Sequence, residues 1–367
     1  MVYLDYSATT PLDPRVAEAW FNSEKNFFAN ANSSHALGVL AKQENNRHLE
    51  TLASIFHVLP SELILTSSAV EANNFAIKGL AMKYPDKRHV ITSVYEHASL
   101  IAALASFGNS LEVETVNLKR DGTYDLAHLK SLIRPDTLVV SLVAVDSETG
   151  LKQPVEAVGL LCHQLGVYFH CDATQAYGKT KISFDSMDLV SLSAHKIYGP
   201  KGVGMLIKKK SVGLVPLMHG GHSFTPFRAS TPANSLLAAF TKAVELADEE
   251  FEARNRKVSD LRAYLKAQLS ENPNILINSS ELSIPQIFNV SILNTKPEEG
   301  VKYFSEHGIY LSSKSACSGE EDLSKSVLAL TGDHARAISS YRISLSHLST
   351  IEDMDHFVTW AKELAKS

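Results

Sequence analysis

Lys196 stands in Ser193-Ala194-His195-Lys196-Ile197-Tyr198-Gly199-Pro200, directly after the apolar run Leu189-Val190-Ser191-Leu192. A strand that closes on Ser-x-His-Lys and breaks at Gly-Pro sets one primary amine at the lip of a sheet. Twenty-four residues earlier, His170-Cys171-Asp172-Ala173-Thr174-Gln175 puts a carboxylate at the end of another apolar run. A lone lysine is most simply a solvated surface charge. A lysine and an acid on neighbouring strand ends suit pyridoxal phosphate (PLP): the amine bonds to the aldehyde, and the acid keeps the ring nitrogen protonated so that the ring accepts electrons.

Four further positions carry chemistry. Ser67-Ser68-Ala69 lies between an apolar strand and a helix, where free backbone N–H groups suit a phosphate; many such turns are merely tight connections. His97, in Tyr95-Glu96-His97, follows the strand at 89–93, from which an imidazole can lie on a cofactor ring and exchange protons. Cys317 sits in the small, polar stretch Ser312-Ser313-Lys314-Ser315-Ala316-Cys317-Ser318-Gly319, an exposed thiol beside a lysine and a candidate nucleophile. Arg342, in Ser340-Tyr341-Arg342-Ile343-Ser344, offers a planar fork for a carboxylate, or equally for a structural salt bridge.

The elements that must position these residues read as an alternation. Strands are expected at 63–66, 89–93, 113–116, 138–144, 167–171, 188–193 and 203–207. Helices are expected at 72–83, 99–107, 126–132 and 155–165. This pattern predicts an α/β fold with a mainly parallel seven-stranded sheet, and ligands lie beyond the carboxyl ends of such strands. Ser67, His97, Asp172 and Lys196 all fall there. A long helix is expected at 234–252. A smaller α+β unit follows, with helices at 261–269 and 297–307, strands at 286–292 and 341–345, and a closing helix. A Ser349-x-x-Glu352 capping box should start that helix, with Ile351, Met354, Val358 and Ala361 buried. The expected division is a large unit, 1–255, and a small one, 256–367, on which the first ~20 residues pack.

Composition narrows the class. The chain has 367 residues, 44% of them hydrophobic, and a formal net charge of −5. No basic stripe supports nucleic-acid binding, no apolar run approaches the ~18 residues of a membrane span, and the N-terminus lacks the pattern of a signal peptide. Three cysteines, Cys162, Cys171 and Cys317, are too few for a disulfide framework. The expectation is a cytoplasmic protein.

Together the motifs resemble the NifS/IscS-type cysteine desulfurases of the class V aminotransferase superfamily, almost end to end. The matching segments are Tyr3-Leu4-Asp5-Tyr6-Ser7-Ala8-Thr9-Thr10-Pro11, Ser33-Ser34-His35-x-Leu37-Gly38, Glu71-Ala72-Asn73-Asn74, Glu96-His97, Asp172-Ala173-Thr174-Gln175, Ser193-x-His195-Lys196, Arg228-x-x-Thr231 and Ser315-Ala316-Cys317-Ser318. The short Ser-Ala-Cys-Ser form is similar to the IscS-like group. The resemblance implies PLP fold type I, with helices on both faces of the sheet, and conversion of L-cysteine to L-alanine. It implies that Lys196 binds PLP and moves the Cα proton, Asp172 pairs with the ring nitrogen, Gln175 bonds the ring oxygen and His97 stacks on the ring. Ser193, His195, Ser68, Ala69 and Val70 would hold the phosphate, with Thr231 from the second subunit of a homodimer. Arg342 and Asn30 would bind the substrate. Cys317 would receive the sulfur as a persulfide and pass it to an acceptor protein for iron–sulfur assembly or thiolation.

The chain departs from the family at several points. Asp146-Ser147-Glu148-Thr149-Gly150 replaces Asn-Asn-Glu-x-Gly, so that Ser147 stands for an asparagine that contacts the ring oxygen. Val70 removes a threonine hydroxyl from the phosphate turn. His219-Gly220-Gly221-His222 and Ser223-Phe224 depart from the family's Gly-rich segment, and Lys314 replaces a glycine. Each lost hydrogen bond weakens binding by about 0.5–1.5 kcal/mol. Two other readings stay open: a selenocysteine lyase or other class V PLP enzyme, and a weakened PLP-binding paralogue that acts as an interaction subunit.

Overall fold

The computed structural model describes residues 1–221, 223–313 and 323–366. Seven strands form the central sheet in the spatial order 63–66, 204–208, 189–193, 168–172, 137–143, 89–92, 112–115. The five from Leu189–Ser193 to Glu112–Thr115 pair in parallel, and Gly204–Lys208 runs antiparallel to both its neighbours. Alternating side chains serve both faces. Leu63, Leu65, Ile91, Val190, Met205 and Ile207 join one apolar cluster with Leu52, Val158 and Phe240 from helices. Ile64, Val90, Leu189 and Leu206 join another with Phe75, Leu80 and Leu100.

Two helix boundaries differ from expectation by three residues or more. The helix expected at 72–83 spans Ala69–Lys83. Ser68 caps it through Glu71 N–H, and the Glu71 carboxylate reaches back to Ser67 N–H at 2.7 Å. These exchanged bonds start the helix three residues early and bring Ala69 and Val70 into its first turn. The run 234–252 is two helices, Asn234–Glu249 and Phe251–Leu269, the second absorbing the helix expected at 261–269. Glu250 breaks them; its carboxylate is gripped by Arg15 and Arg254.

Four α-helices among the described residues escaped the sequence reading, Pro14–Asn26, Ala36–Phe56, Lys325–Thr331 and His334–Ala337. The first buries only Val16 and Ser23, too thin a stripe to show as periodicity. It packs against Asn234–Glu249.

A second layer holds a three-stranded antiparallel sheet in the order Ser340–Ser344, Ile287–Ile292, Ile275–Ile277. Its apolar cluster takes Leu261, Leu265, Phe304 and Phe357 from helices, and Val2 and Leu4 from the start of the chain. The strand Val2–Tyr3 pairs in parallel with Ile309–Tyr310. The closing helix, Ile351–Leu364, is capped one residue later than expected, by Thr350 and Asp353. The shift turns Ile351 outward, 42% exposed, and buries Phe357 with Met354, Val358 and Ala361. No helix among the described residues is long and apolar enough to cross a membrane.

Candidate active site

Lys196 ends a single 3-10 turn, Ala194–Lys196, that follows the strand Leu189–Ser193 without a break. Its Nζ donates to the carbonyls of Ser7 at 2.6 Å and Ala8 at 2.7 Å. The same N-terminal segment holds the residues around it. Thr10 Oγ1 donates to His195 O and accepts from Tyr198 N–H at 2.8 Å, and Thr9 Oγ1 lies 3.2 Å from His195 Nδ1. Tyr198 takes φ 67°, a left-handed conformation that disfavours a side chain by roughly 1–2 kcal/mol. Thr10 and a 2.6 Å contact between its hydroxyl and Ser346 Oγ hold it there.

Asp172 is buried at the end of its strand. Oδ2 accepts from Asn73 Nδ2 at 2.8 Å, and Oδ1 from Thr174 N–H at 3.0 Å. Asn73 also donates to Ser99 Oγ at 3.0 Å. Ser99 in turn serves His97: its backbone N–H donates to Nδ1 at 3.1 Å, and its hydroxyl lies 2.8 Å away. A ring whose Nδ1 accepts carries its proton on Nε2. Burial lowers the His97 pKa, against the pull of Asp172, so the imidazole is neutral at pH 7. A single network thus fixes the acid and the imidazole. Asn73 and Ser99, which complete it, had no role assigned from the sequence. Behind it, Glu96 accepts from Ser93 Oγ and Val143 N–H. Burial pushes its carboxyl up to about 8.

At the other end, Ser68, Ala69 and Val70 form a wall with Ser193 and His195. Gly204 permits the close approach of strand and turn, since a Cβ there would lie 2.7 Å from the Ser68 carbonyl carbon. Burial, then the charge of Lys196, takes His195 down to about 4. Arg342 is 1% exposed; Nη2 donates to Asp5 at 2.8 Å and Nη1 to Ser147 O at 3.1 Å.

One pocket is lined by Ser68, Ala69, Val70, His97, Ser147, Asp172, Gln175, Ser193, His195, Lys196 and Arg342, together with Ser7, Ala8, Tyr95, Val143 and Thr174. It therefore gathers most of the residues singled out in the sequence. Thr231 and Asn30 lie outside this wall and are exposed; the Asn30 side chain caps Asn32 N–H at 2.9 Å. Cys317 and Lys314 lie outside the described residues, as does His222. Cys162 and Cys171 are buried free thiols.

The pocket fits PLP. Ser193 Oγ and Thr174 Oγ1 are buried in its wall with no hydrogen-bond partner among the described residues. Buried hydroxyls left unpaired are costly, so these positions favour a ligand with acceptor oxygens. A buried carboxylate and a primary amine face the same space, as an electron-accepting cationic ring and an aldehyde require.

The family model described as aminotransferase class-V matches residues 2–357. The chain belongs to the class-V aminotransferase family. A cysteine desulfurase IscS of Methylococcus capsulatus is 37% identical over 371 residues, covering 99% of this chain and 92% of the relative. A solved NifS-like protein superposes with a TM-score of 0.91 at 31% identity, over 100% of this chain and 99% of its own. SspA, solved in complex with cysteine, gives a TM-score of 0.82 at 30% identity, covering 95% of this chain and 100% of SspA. In this class-V chain, then, the fold read from the strand–helix alternation is the fold of its relatives.

Proposed function

We propose that this chain is a cysteine desulfurase, a PLP-dependent enzyme that converts L-cysteine to L-alanine. The convergence of Lys196, Asp172 and Arg342 on one pocket carries the reading. PLP, when bound, supplies an electron sink for the Cα–H and C–S bonds. Lys196 would hold it covalently and Asp172 would place a negative charge against its ring nitrogen. His97 would cover the ring, with Nε2 as its proton-bearing atom. Ser193, His195 and the first-turn N–H groups of Ala69 and Val70 would take the phosphate, and Gln175 and Ser147 would face the ring oxygen.

Arg342 would hold the substrate carboxylate, with Asn30 assisting from outside the wall. Lys196 Nζ, once free of its bond to the cofactor, would take the Cα proton. The thiolate of Cys317 would attack the substrate sulfur: an S–S bond would form, and the C–S bond would break with its electron pair going to Cβ. Cβ would take up a proton, Lys196 would return the Cα proton, and alanine would leave with the sulfur kept as a persulfide. Thr231 from a second copy would complete the phosphate site, so the working unit would be a cytoplasmic homodimer, each chain comprising a large unit 1–255 and a small one 256–367. An acceptor protein would then collect the sulfur.

The test is to incubate purified protein with L-cysteine, quantify alanine, and locate bound sulfur by mass spectrometry. Alanine in step with a persulfide on Cys317 is expected. Absence of alanine overturns the reading, and full turnover by Cys317→Ser would favour a lyase instead.

A further inference from the structure

Lys179 is 9% exposed, yet carries an amine into the interior. It follows Gly178, which takes φ 71° in the turn after Asp172. The amine makes one hydrogen bond to the described residues, to Gln175 Oε1 at 2.5 Å. The Gln175 amide nitrogen donates to Ser7 O at 2.9 Å, and that carbonyl also accepts from Lys196 Nζ at 2.6 Å. The line Lys179–Gln175–Ser7–Lys196 thus reaches from a buried amine to the reactive one.

A glutamine amide looks alike from both sides, and its neighbours decide which way it faces. Here both agree. Lys179 offers a donor to the oxygen, and Ser7 an acceptor to the nitrogen. A flipped amide would set oxygen against the Ser7 carbonyl and NH2 against the lysine donor. Of the two amide hydrogens, Ser7 takes one and the other remains for the pocket that Gln175 lines. Space-filling does not explain a lysine here. Burial and the charges of Lys196 and Arg342 hold its pKa well below the ordinary value. A methionine would fill the volume without that cost.

We propose that Lys179 is a positioning residue that locks the Gln175 amide with its NH2 toward Ser7 and the pocket, ready to donate to the ring oxygen of the bound cofactor. This rests on the PLP reading given above. A donor to that oxygen stabilises its anionic form, so losing the lock weakens cofactor retention and raises the pH midpoint of the lysine-bound cofactor's absorbance near ~400 nm.

The test compares wild type, Lys179→Met and Lys179→Gln, the last keeping a neutral donor. Lys179→Met is expected to raise the PLP dissociation constant about three- to tenfold and the band's midpoint by about 0.4–1 pH unit. The urea midpoint of its cofactor-free form should stay level or rise. Lys179→Gln should lie nearer wild type in both cofactor properties. Wild-type values in Lys179→Met, or equal defects in Met and Gln variants, overturn the role of Lys179. If Lys179→Met does not fold, Gln175→Met must show the same shift, and its absence is equally decisive. A wild type with no band and no alanine from L-cysteine overturns the parent reading instead.

Discussion

At the end of the pocket where the proposed ring would lie, Asp172, His97 and Gln175 already have protein partners: Asn73 and Thr174 N–H, Ser99, and Lys179 with Ser7. At the other end, where the proposed phosphate would sit, Ser68 and His195 are held by Glu71 N–H and Thr9, but other polar groups are left open. Ser193 Oγ is buried with no partner among the described residues, and the N–H groups of Ala69 and Val70 have no intrahelical carbonyl to reach. An anion there gains hydrogen bonds without breaking any. On the proposed reading the difference is a division of labour: one end, stiffened in advance, would steer charge during reaction, and the other, with donors to spare, would bind the phosphate.

That division makes separable predictions. Asp172→Asn keeps the shape of the ring end and removes its charge. It should lower kcat on the order of 10²-fold with the cofactor still bound, as steady-state kinetics beside the absorbance band will show. A loss below tenfold would mean that charge at this end matters little. Ser193→Ala should do the reverse, raising the PLP dissociation constant about three- to tenfold while kcat at saturating cofactor stays within about twofold. A matching fall in kcat would erase the division.

Glu96 tests the stiffened end through pH. Its folded carboxyl holds a proton up to about 8, against 4.5 for an ordinary glutamate. The folded state therefore binds more protons than the unfolded one in that window, and this group's contribution to stability falls as pH rises from about 4.5 to 8. Glu96→Gln preserves the oxygen that accepts from Ser93 and Val143 and should remove that decline. Urea midpoints at several pH values will show whether the two proteins diverge toward pH 8. The smallest effect belongs to Val70→Thr. With Val70 48% exposed, a restored hydroxyl should tighten PLP binding only about twofold, measured by titration of the cofactor-free protein.

The parts of the fold and site that the sequence disclosed share a cause. Strand ends are marked by apolar runs that stop at polar residues, so Lys196, Asp172 and His97 stood out by position, and all three line the observed pocket. The second tier did not stand out. Ser7 and Ala8 act through backbone carbonyls, which leave no trace in residue type, on a lysine 188 or more positions away. Asn73 faces Asp172 only because helix and sheet pack together, whereas Ser99 meets His97 locally, at the N-cap of the helix Ala98–Ala105. Lys179 reads as one more surface charge until burial is known. The early start at Ala69 needed the Glu71 to Ser67 bond, and the cap of the last helix lay one residue from where the pattern placed it.

Residues 5–10 lash down Arg342, Lys196 and His195, while the adjoining strand, Val2–Tyr3, docks beside Ile309–Tyr310. On the ribosome these two partners emerge roughly 300 residues apart, some 15–60 seconds of elongation at ordinary rates. Lys196 therefore leaves the exit tunnel well before the strand Ile309–Tyr310 that docks its N-terminal tether. A pocket lined from Ser7 to Arg342 cannot be complete until most of the polypeptide has emerged, and its closure spans a correspondingly long loop.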